Sequence, residues 1–553
     1  MQKREYVITL HSRDDLDGFY DDMETPGGNL HIPYRAIPVH YRRAISKNTH
    51  YMLTDAEANQ IRGDSRVANV VLSMEEQGIH FTPVWTQTSS LWNKSGTTSA
   101  AHLNWGNLRC YEGVQRPNWG SNGTTNQSGT ARGTLSGKNV DVVIVDGLID
   151  PAHPEFAVNF DGTGGSRVIQ YNWFQHNEEL GVGSNSTYIY TPYVDPTYPD
   201  NNGDGVSDRT ADNNHGCHVA GTVCGNTFGW ARDANIYNIS PYGSAPSYNS
   251  RFIDYIRAWH NSKPINPETG IRNPTITNHS YGRTLGFSIS NITQVVYRGT
   301  VHEGPFTSTQ LNSYGIRTSG SVALINDIFE PYAVDVQEAI DDGIIFVGAA
   351  ANDSTKISTP SDPTGDYFNS MTVLEFGFFL STYNYMRGTS GAVDGMICVG
   401  AVSALVNESK ATFSNCGPRI DVYAPGSSIM SSLNSASGVP DSRNLAFHNV
   451  KYSGTSMASP QVCGVLACVL ETWPRMTPAD ALAYIYQTAK LNQMTSGNGG
   501  PTDNTDIQGS VNRYLAQQLE RPFNGLVGPK SDFGLRPTTG QAWPRTKIYR
   551  YGS

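Results

Sequence analysis

The chain has 553 residues, with 39 Lys and Arg set against 49 Asp and Glu for a formal net charge of -10. Neither sign forms a long run, so nucleic acid and anionic membrane surfaces are not expected as partners. No run of about 18 apolar residues offers a membrane span, and the length allows a sizeable core and more than one domain.

The first stretch, "MQKREYVITLHSRDD", lacks the apolar core of a signal peptide, so an intracellular or virion-associated location is expected over secretion. "EYVITLHS" alternates like a strand, "TDAEANQIRGDSR" reads as a short helix, and "VANVVLSM" as a second strand. Thr54 and Glu57 have the spacing of a capping box for that helix. Residues 1–84 are therefore expected to form a small α+β domain. From about Thr82 to Gly137 the sequence turns to Ser, Thr, Gly and Asn, and 85–137 reads as an exposed connection with few core contacts.

After Lys138, apolar runs alternate with helical patterns: "VDVVIV", "ANIYNIS", "NPTITNHS", "GIIFVGAAA" and "MICVGAVS". Strands apolar on both faces and separated by helices predict an α/β domain over 138–495, with a doubly wound, mainly parallel sheet. Residues 496–553 read as a polar C-terminal tail with one helical stretch, "VNRYLAQQLE". The seven cysteines are odd in number and sit in apolar or small-residue segments, which predicts packed, reduced thiols.

Polar residues just past the carboxyl ends of parallel strands are where sites form, and three segments place them there. "VDVVIVDGLIDPAHPEF" puts Asp146 at the end of a buried strand, where a carboxylate needs a partner; an N-cap role explains it equally well taken alone. "DNNHGCHVAGTVCG" puts His215 before a helix whose Gly216, Ala220 and Gly221 permit close backbone packing. His215 and His218, three apart, also read as a metal pair, although the Glu of the helical zinc motif is missing. "GIIFVGAAANDS" brings Asn352 to another strand end, as an oxyanion donor or a turn residue. In "YSGTSMASPQV", Ser456 lies in the first turn of a buried helix, where free N–H groups and the positive dipole end favour an oxyanion.

In the order Asp146, His215, Asn352, Ser456, these segments resemble the subtilisin-like serine peptidases, or subtilases. "DGLIDPAHPEF" is similar to that family's aspartate motif, "HGCHVAGTV" to its histidine motif and "GTSMASPQV" to its serine motif. "NWGNLRC" resembles the start of the mature enzyme, "NHSYGRTLG" the strand that pairs with substrate and "ATFSNCGPRIDVYAPG" the approach to the serine helix. The resemblance covers about Asn104 to Lys490. It implies a serine endopeptidase with Asp146, His215 and Ser456 as triad, Asn352 as oxyanion donor, Ser280 and Gly282 on the strand that receives an extended polypeptide, and no cofactor for the chemistry.

The resemblance also implies that residues 1–84 are a ferredoxin-like propeptide acting as an intramolecular inhibitor, in a self-processing zymogen cut between about Ser73 and Asn104. Cys217, Leu148, Ala351 and Gln461 depart from the family pattern. Ala351 stands where glycine is common, so a positive φ there would be strained. Cys217, beside His215, predicts sensitivity to thiol reagents.

"DNNGDGVSD" places Asp200, Asn202, Asp204, Val206 (through its carbonyl) and Asp208 at the spacing of a calcium loop, with Ala211 in the last ligand position; a solvated turn fits the same residues. A second reading, a catalytically silent subtilase scaffold in a larger virion assembly, rests on three features. They are the missing signal peptide, the extra segments near Leu285 to Asn326 and Ser354 to Val393, and the tail "FGLRPTTGQAWPRTKIYRYGS".

Overall fold

The computed structural model describes residues 3–28, 30, 39–41, 43, 45–73, 82–83, 86–87, 105–112, 135–173, 208–239, 251–404, 408–434, 438–496 and 505–517. Its centre is a nine-stranded sheet in the order Lys490–Leu491, Arg513–Tyr514, Val422–Pro425, Ile397–Val402, Ile345–Ala349, Thr275–His279, Asp141–Val145, Asn235–Ile239, Val168–Ile169. All neighbours are parallel except the Lys490–Leu491 edge pair. The central strands are buried along their whole length, because helices cover both faces; most are apolar runs, whereas Thr275–His279 buries polar side chains as well.

The chain starts the sheet at Asp141–Val145, steps one way to Asn235–Ile239, then returns to Thr275–His279 on the other side and continues outward. This reversal opens a crevice at the carboxyl ends of Asp141–Val145 and Thr275–His279. Below the sheet, the wholly buried helix Thr455–Leu470 packs against the helix Asp208–Cys224 and four central strands. Above it lie the helices Arg251–Ser262 and Glu330–Asp341, whose Phe252, Ile253, Tyr332 and Val336 share one apolar cluster with Phe346.

The N-terminal α+β module has a four-stranded sheet in the order Val39–Tyr41, Asn48–Leu53, Arg4–Leu10, Val67–Leu72. Its helices Leu16–Glu24 and Asp55–Ile61 close a separate core around Phe19, Tyr51 and Ile61. The Thr54–Glu57 capping box forms as its spacing predicts. The module sits on the two upper helices: Val7 joins their apolar cluster, and Arg43, fully buried, lies 2.6 Å from Asp254 and 2.9 Å from Asp335. Ser46 and Asn48 also donate to Asp335, and Arg257 donates to the Ile45 carbonyl.

Two regions differ from expectation. The 85–137 connection includes the helix Trp105–Glu112, whose Trp105 and Cys110 enter the main core. "VNRYLAQQLE" supplies the strand Arg513–Tyr514 where a helix is expected, so the main sheet extends beyond residue 495. These two segments meet: Arg109 is ion-paired with Glu408 and stacks over Tyr514, and the Gln517 N–H donates to the Cys110 carbonyl. A buried tyrosine pairing at the sheet edge outweighs the helical period of a short window. Finally, the extra segments form two small antiparallel sheets, one from 284–326 and one from 292–384, around a shared core of Ile292, Val295, Ile325, Met371 and Tyr385.

Candidate active site

Asp146 follows directly on the strand Asp141–Val145 and is fully buried. Its Oδ1 accepts from the Gly147 N–H and from His215 Nδ1, each at 2.7 Å. The buried carboxylate thus has the partner its burial demands, and the imidazole presents its Nδ1 proton to it. His215 lies inside the helix Asp208–Cys224 and not before it. Nothing in 208–214 breaks a helix, so the polar turn ahead of the apolar run joins it. Gly216 makes the approach fit, because a Cβ there would stand 2.0 Å from the Gly147 carbonyl oxygen.

Ser456 is the second residue of the helix Thr455–Leu470 and is buried in its first turn, as its sequence setting predicts. Pro460 lies four residues on. Having no N–H, it leaves the Ser456 carbonyl without its helical donor, and the Ser280 hydroxyl donates there instead at 3.0 Å. In return Ser456 Oγ donates to the Ser280 carbonyl at 3.1 Å. Ser280 follows the strand Thr275–His279, so a neighbouring strand end is tied to the serine helix in both directions.

Asn352 stands beyond the strand Ile345–Ala349. Its Oδ1 accepts from the backbone N–H and the hydroxyl of Thr455, both at 2.9 Å. Its buried Nδ2 has no acceptor among the described residues. Before it, Ala351 holds φ +83°, the left-handed backbone that its replacement of glycine anticipates. The following loop is pinned by Asn415, whose Oδ1 accepts from the N–H groups of Asp353 and Thr355. Thr455 and Asn415 were missed as positioning residues, although both lie in segments the sequence marks.

Ser280 and Gly282 flank Tyr281, and the backbone of Tyr281–Gly282 pairs antiparallel with Thr82–Pro83. His218 is not half of a metal pair. Its Nε2 lies 2.9 and 3.1 Å from the Ile429 and Val450 carbonyls, its ring stacks on Tyr452, and burial lowers its pKa to about 3. Cys217 also departs from expectation: it is fully buried, and burial raises its pKa, so no reactive thiolate stands near His215. Gln461 accepts from Trp230 Nε1 at 2.6 Å. Of the calcium-loop residues, Asp200, Asn202, Asp204 and Val206 lie outside the described residues, and Asp208 opens the histidine helix. Among the described residues no group of three or more His, Cys, Asp or Glu is placed to hold a metal.

Comparison with known proteins fits this geometry. The chain is 24% identical over 373 residues to the alkaline serine exoprotease A of Vibrio alginolyticus, covering 66% of this chain and 47% of that protein. It is 26% identical over 356 residues to subtilisin E of Bacillus subtilis, covering 64% and 61%. Both matches span less than two thirds of the relative's length. Fervidolysin from Fervidobacterium pennivorans, described as a keratinolytic enzyme related to subtilisin, aligns over 92% of this chain and 60% of that one, with 18% identity and a TM-score of 0.47. The model of the subtilase family matches residues 137–514, from the residue before the expected start of the α/β domain to Tyr514 in the strand next to the sheet edge, and the chain belongs to that family.

Proposed function

We propose that this chain is a serine endopeptidase made as a self-processing zymogen. Ser456 Oγ attacks the scissile carbonyl while His215 Nε2 takes its proton. Asp146 holds the Nδ1–H tautomer and stabilises the imidazolium. The tetrahedral oxyanion receives hydrogen bonds from Asn352 Nδ2 and the Ser456 N–H. His215 then gives its proton to the departing amine, and water releases the acyl group by the same steps in reverse.

The observation that carries this reading is the buried Asn352 amide beside Thr455. A buried donor without an acceptor costs on the order of 1–3 kcal/mol, and one held in place by two hydrogen bonds to the residue before Ser456 suits a negative charge that appears only during reaction. The N-terminal module is the expected intramolecular inhibitor, because its following segment pairs with the Ser280–Gly282 strand. The chemistry needs no metal. The oxygen donors of Asp200, Asn202, Asp204, Val206 and Asp208 suit a structural calcium ion, and a lowered Tm on chelation would support one.

The test is intact mass of the purified chain with and without a fluorophosphonate probe, beside Ser456→Ala. One adduct and a shortened N-terminus, both absent from the variant, are expected. A folded chain that stays unlabelled after removal of residues before 104 would overturn the reading in favour of a silent scaffold.

A further inference from the structure

The small sheet of the extra segment near Leu285 to Asn326 reaches the site through one amide. Its strands Thr284–Ser288 and Val322–Asn326 pair antiparallel, with Thr284 opposite Asn326. Thr284 lies two residues past Gly282, so the sheet begins where the Tyr281–Gly282 strand ends. Asn326 closes the second strand and is buried. Its Nδ2 donates to Asp353 Oδ2 at 2.8 Å and to Thr284 Oγ1 at 3.2 Å. Its Oδ1 accepts from Asn415 Nδ2 at 3.0 Å and from the Thr355 hydroxyl at 3.1 Å. Two donors and two acceptor sites are all that an asparagine side chain has, so Asn326 is saturated. The Asp353 carboxylate can only accept, which fixes the way the amide faces.

Asp353 follows Asn352 directly, and the same sheet holds both of its carboxylate oxygens. Arg317, on the third strand Arg317–Ser319, lies 2.5 Å from Asp353 Oδ1. Asn415 holds the backbone on either side of Asn352: its N–H donates to the Ala351 carbonyl at 3.0 Å, and its Oδ1 accepts from the Asp353 N–H. Asn326 grips Asn415 as well, so both restraints on Asn352 meet at one buried amide. Such restraint is needed here. Ala351 holds φ +83°, a strained backbone that persists only where its surroundings over-determine it. An oxyanion donor must also stand within about 0.5 Å of its working position before the charge appears.

Resting on the endopeptidase reading above, we propose that Asn326 and Arg317 are positioning residues for peptide hydrolysis: by holding the Asp353 carboxylate they fix where Asn352 Nδ2 stands. Both act through Asp353, and Asn326 acts through Asn415 too. The extra segment thereby takes part in turnover, and its loss should be felt at the oxyanion.

Steady-state kinetics on an extended peptide, with the Tm of each protein measured beside it, tests this. Asn326→Ala is expected to lower kcat about tenfold or more, with KM within about twofold of wild type. In the Asn352→Ala background the same substitution should change kcat by less than about twofold, because the group it positions is gone. Asn326→Asp sets two carboxylates against each other and should lose more. Adding Asp353→Asn exchanges donor and acceptor, and should return kcat to within about threefold of wild type. Arg317 is exposed, so Arg317→Ala decides the matter if Asn326→Ala does not fold. It should lower kcat about threefold, and again not in the Asn352→Ala background. Equal losses in both backgrounds, a change in KM alone, or wild-type kcat in folded variants overturns the positioning role and leaves the endopeptidase reading standing. A chain that fails the fluorophosphonate test given above overturns both.

Discussion

Asn352 Oδ1 accepts two hydrogen bonds from Thr455, one from its N–H and one from its hydroxyl, and so fixes which end of the amide faces away from the serine helix. Under the proposed mechanism, Asn352→Ala removes a donor that matters only once the oxyanion forms. Turnover should fall about a hundred- to a thousandfold, a magnitude borrowed from the oxyanion asparagine of subtilisin, with KM little changed. Steady-state kinetics of processed enzyme on an extended peptide checks this, and a change confined to KM would assign Asn352 to substrate binding instead.

Ala351 occupies φ +83° one residue earlier. Its methyl group strains that backbone by on the order of 1–2 kcal/mol, whereas glycine accepts it at a smaller cost in unfolded-state entropy. Ala351→Gly should raise stability by about 0.5–1 kcal/mol in urea unfolding of the uncut Ser456→Ala chain. A lower midpoint would show that the loop pinned by Asn415 needs the methyl contact more than it suffers from the strain.

Much of this site was legible because three of its residues follow strands that the sequence marks. Asp146, Ser280 and Asn352 end the runs "VDVVIV", "NPTITNHS" and "GIIFVGAAA", and a parallel sheet brings such ends together. Ser456 was legible from the small residues and buried helix around it. The Arg43 anchor was not, because its partners Asp254 and Asp335 lie 211 and 292 residues away and no local pattern links them. The Arg513–Tyr514 strand was hidden for a related reason: its window carries helical spacing, and only its distant partners, Tyr423 on one side and Lys490–Leu491 on the other, make it a strand. The Pro460 and Ser280 exchange combines both cases, since proline predicts an unpaired carbonyl at Ser456 but not the hydroxyl that fills it.

All seven cysteines are buried, and burial raises the pKa of Cys217. A charged maleimide should therefore label none of them in the native protein, and activity should survive prolonged exposure. Labelling at Cys217 under native conditions, found by peptide mass mapping, would mean that the helix carrying His215 opens on the timescale of the reaction.

Asp335 gives the N-terminal module a pH dependence whose sign can be worked out. Burial raises its carboxyl pKa to about 7, with Arg43 pulling down and Asp254 pushing up. The unfolded value is near 4, so between about pH 4 and 7 the folded chain holds a proton that the unfolded chain has released. Stability from this group is full below pH 4 and is lost as pH rises toward 7. Asp335→Asn mimics the protonated form and carries no such slope. In the uncut Ser456→Ala background, the Tm of Asp335→Asn relative to its parent should therefore rise from pH 4 to 7 and then level off. Arg43→Ala should behave differently. It removes the cation that lies between two buried carboxyl groups, a loss of roughly 3–5 kcal/mol, and it should expose residues 1–73 to limited proteolysis more readily as pH rises, because the folded carboxyls then resist an ionisation that the unfolded chain undergoes freely. If the Asp335→Asn difference instead falls with pH, the pull of Arg43 exceeds the penalty of burial, and the clamp tightens as Asp335 ionises.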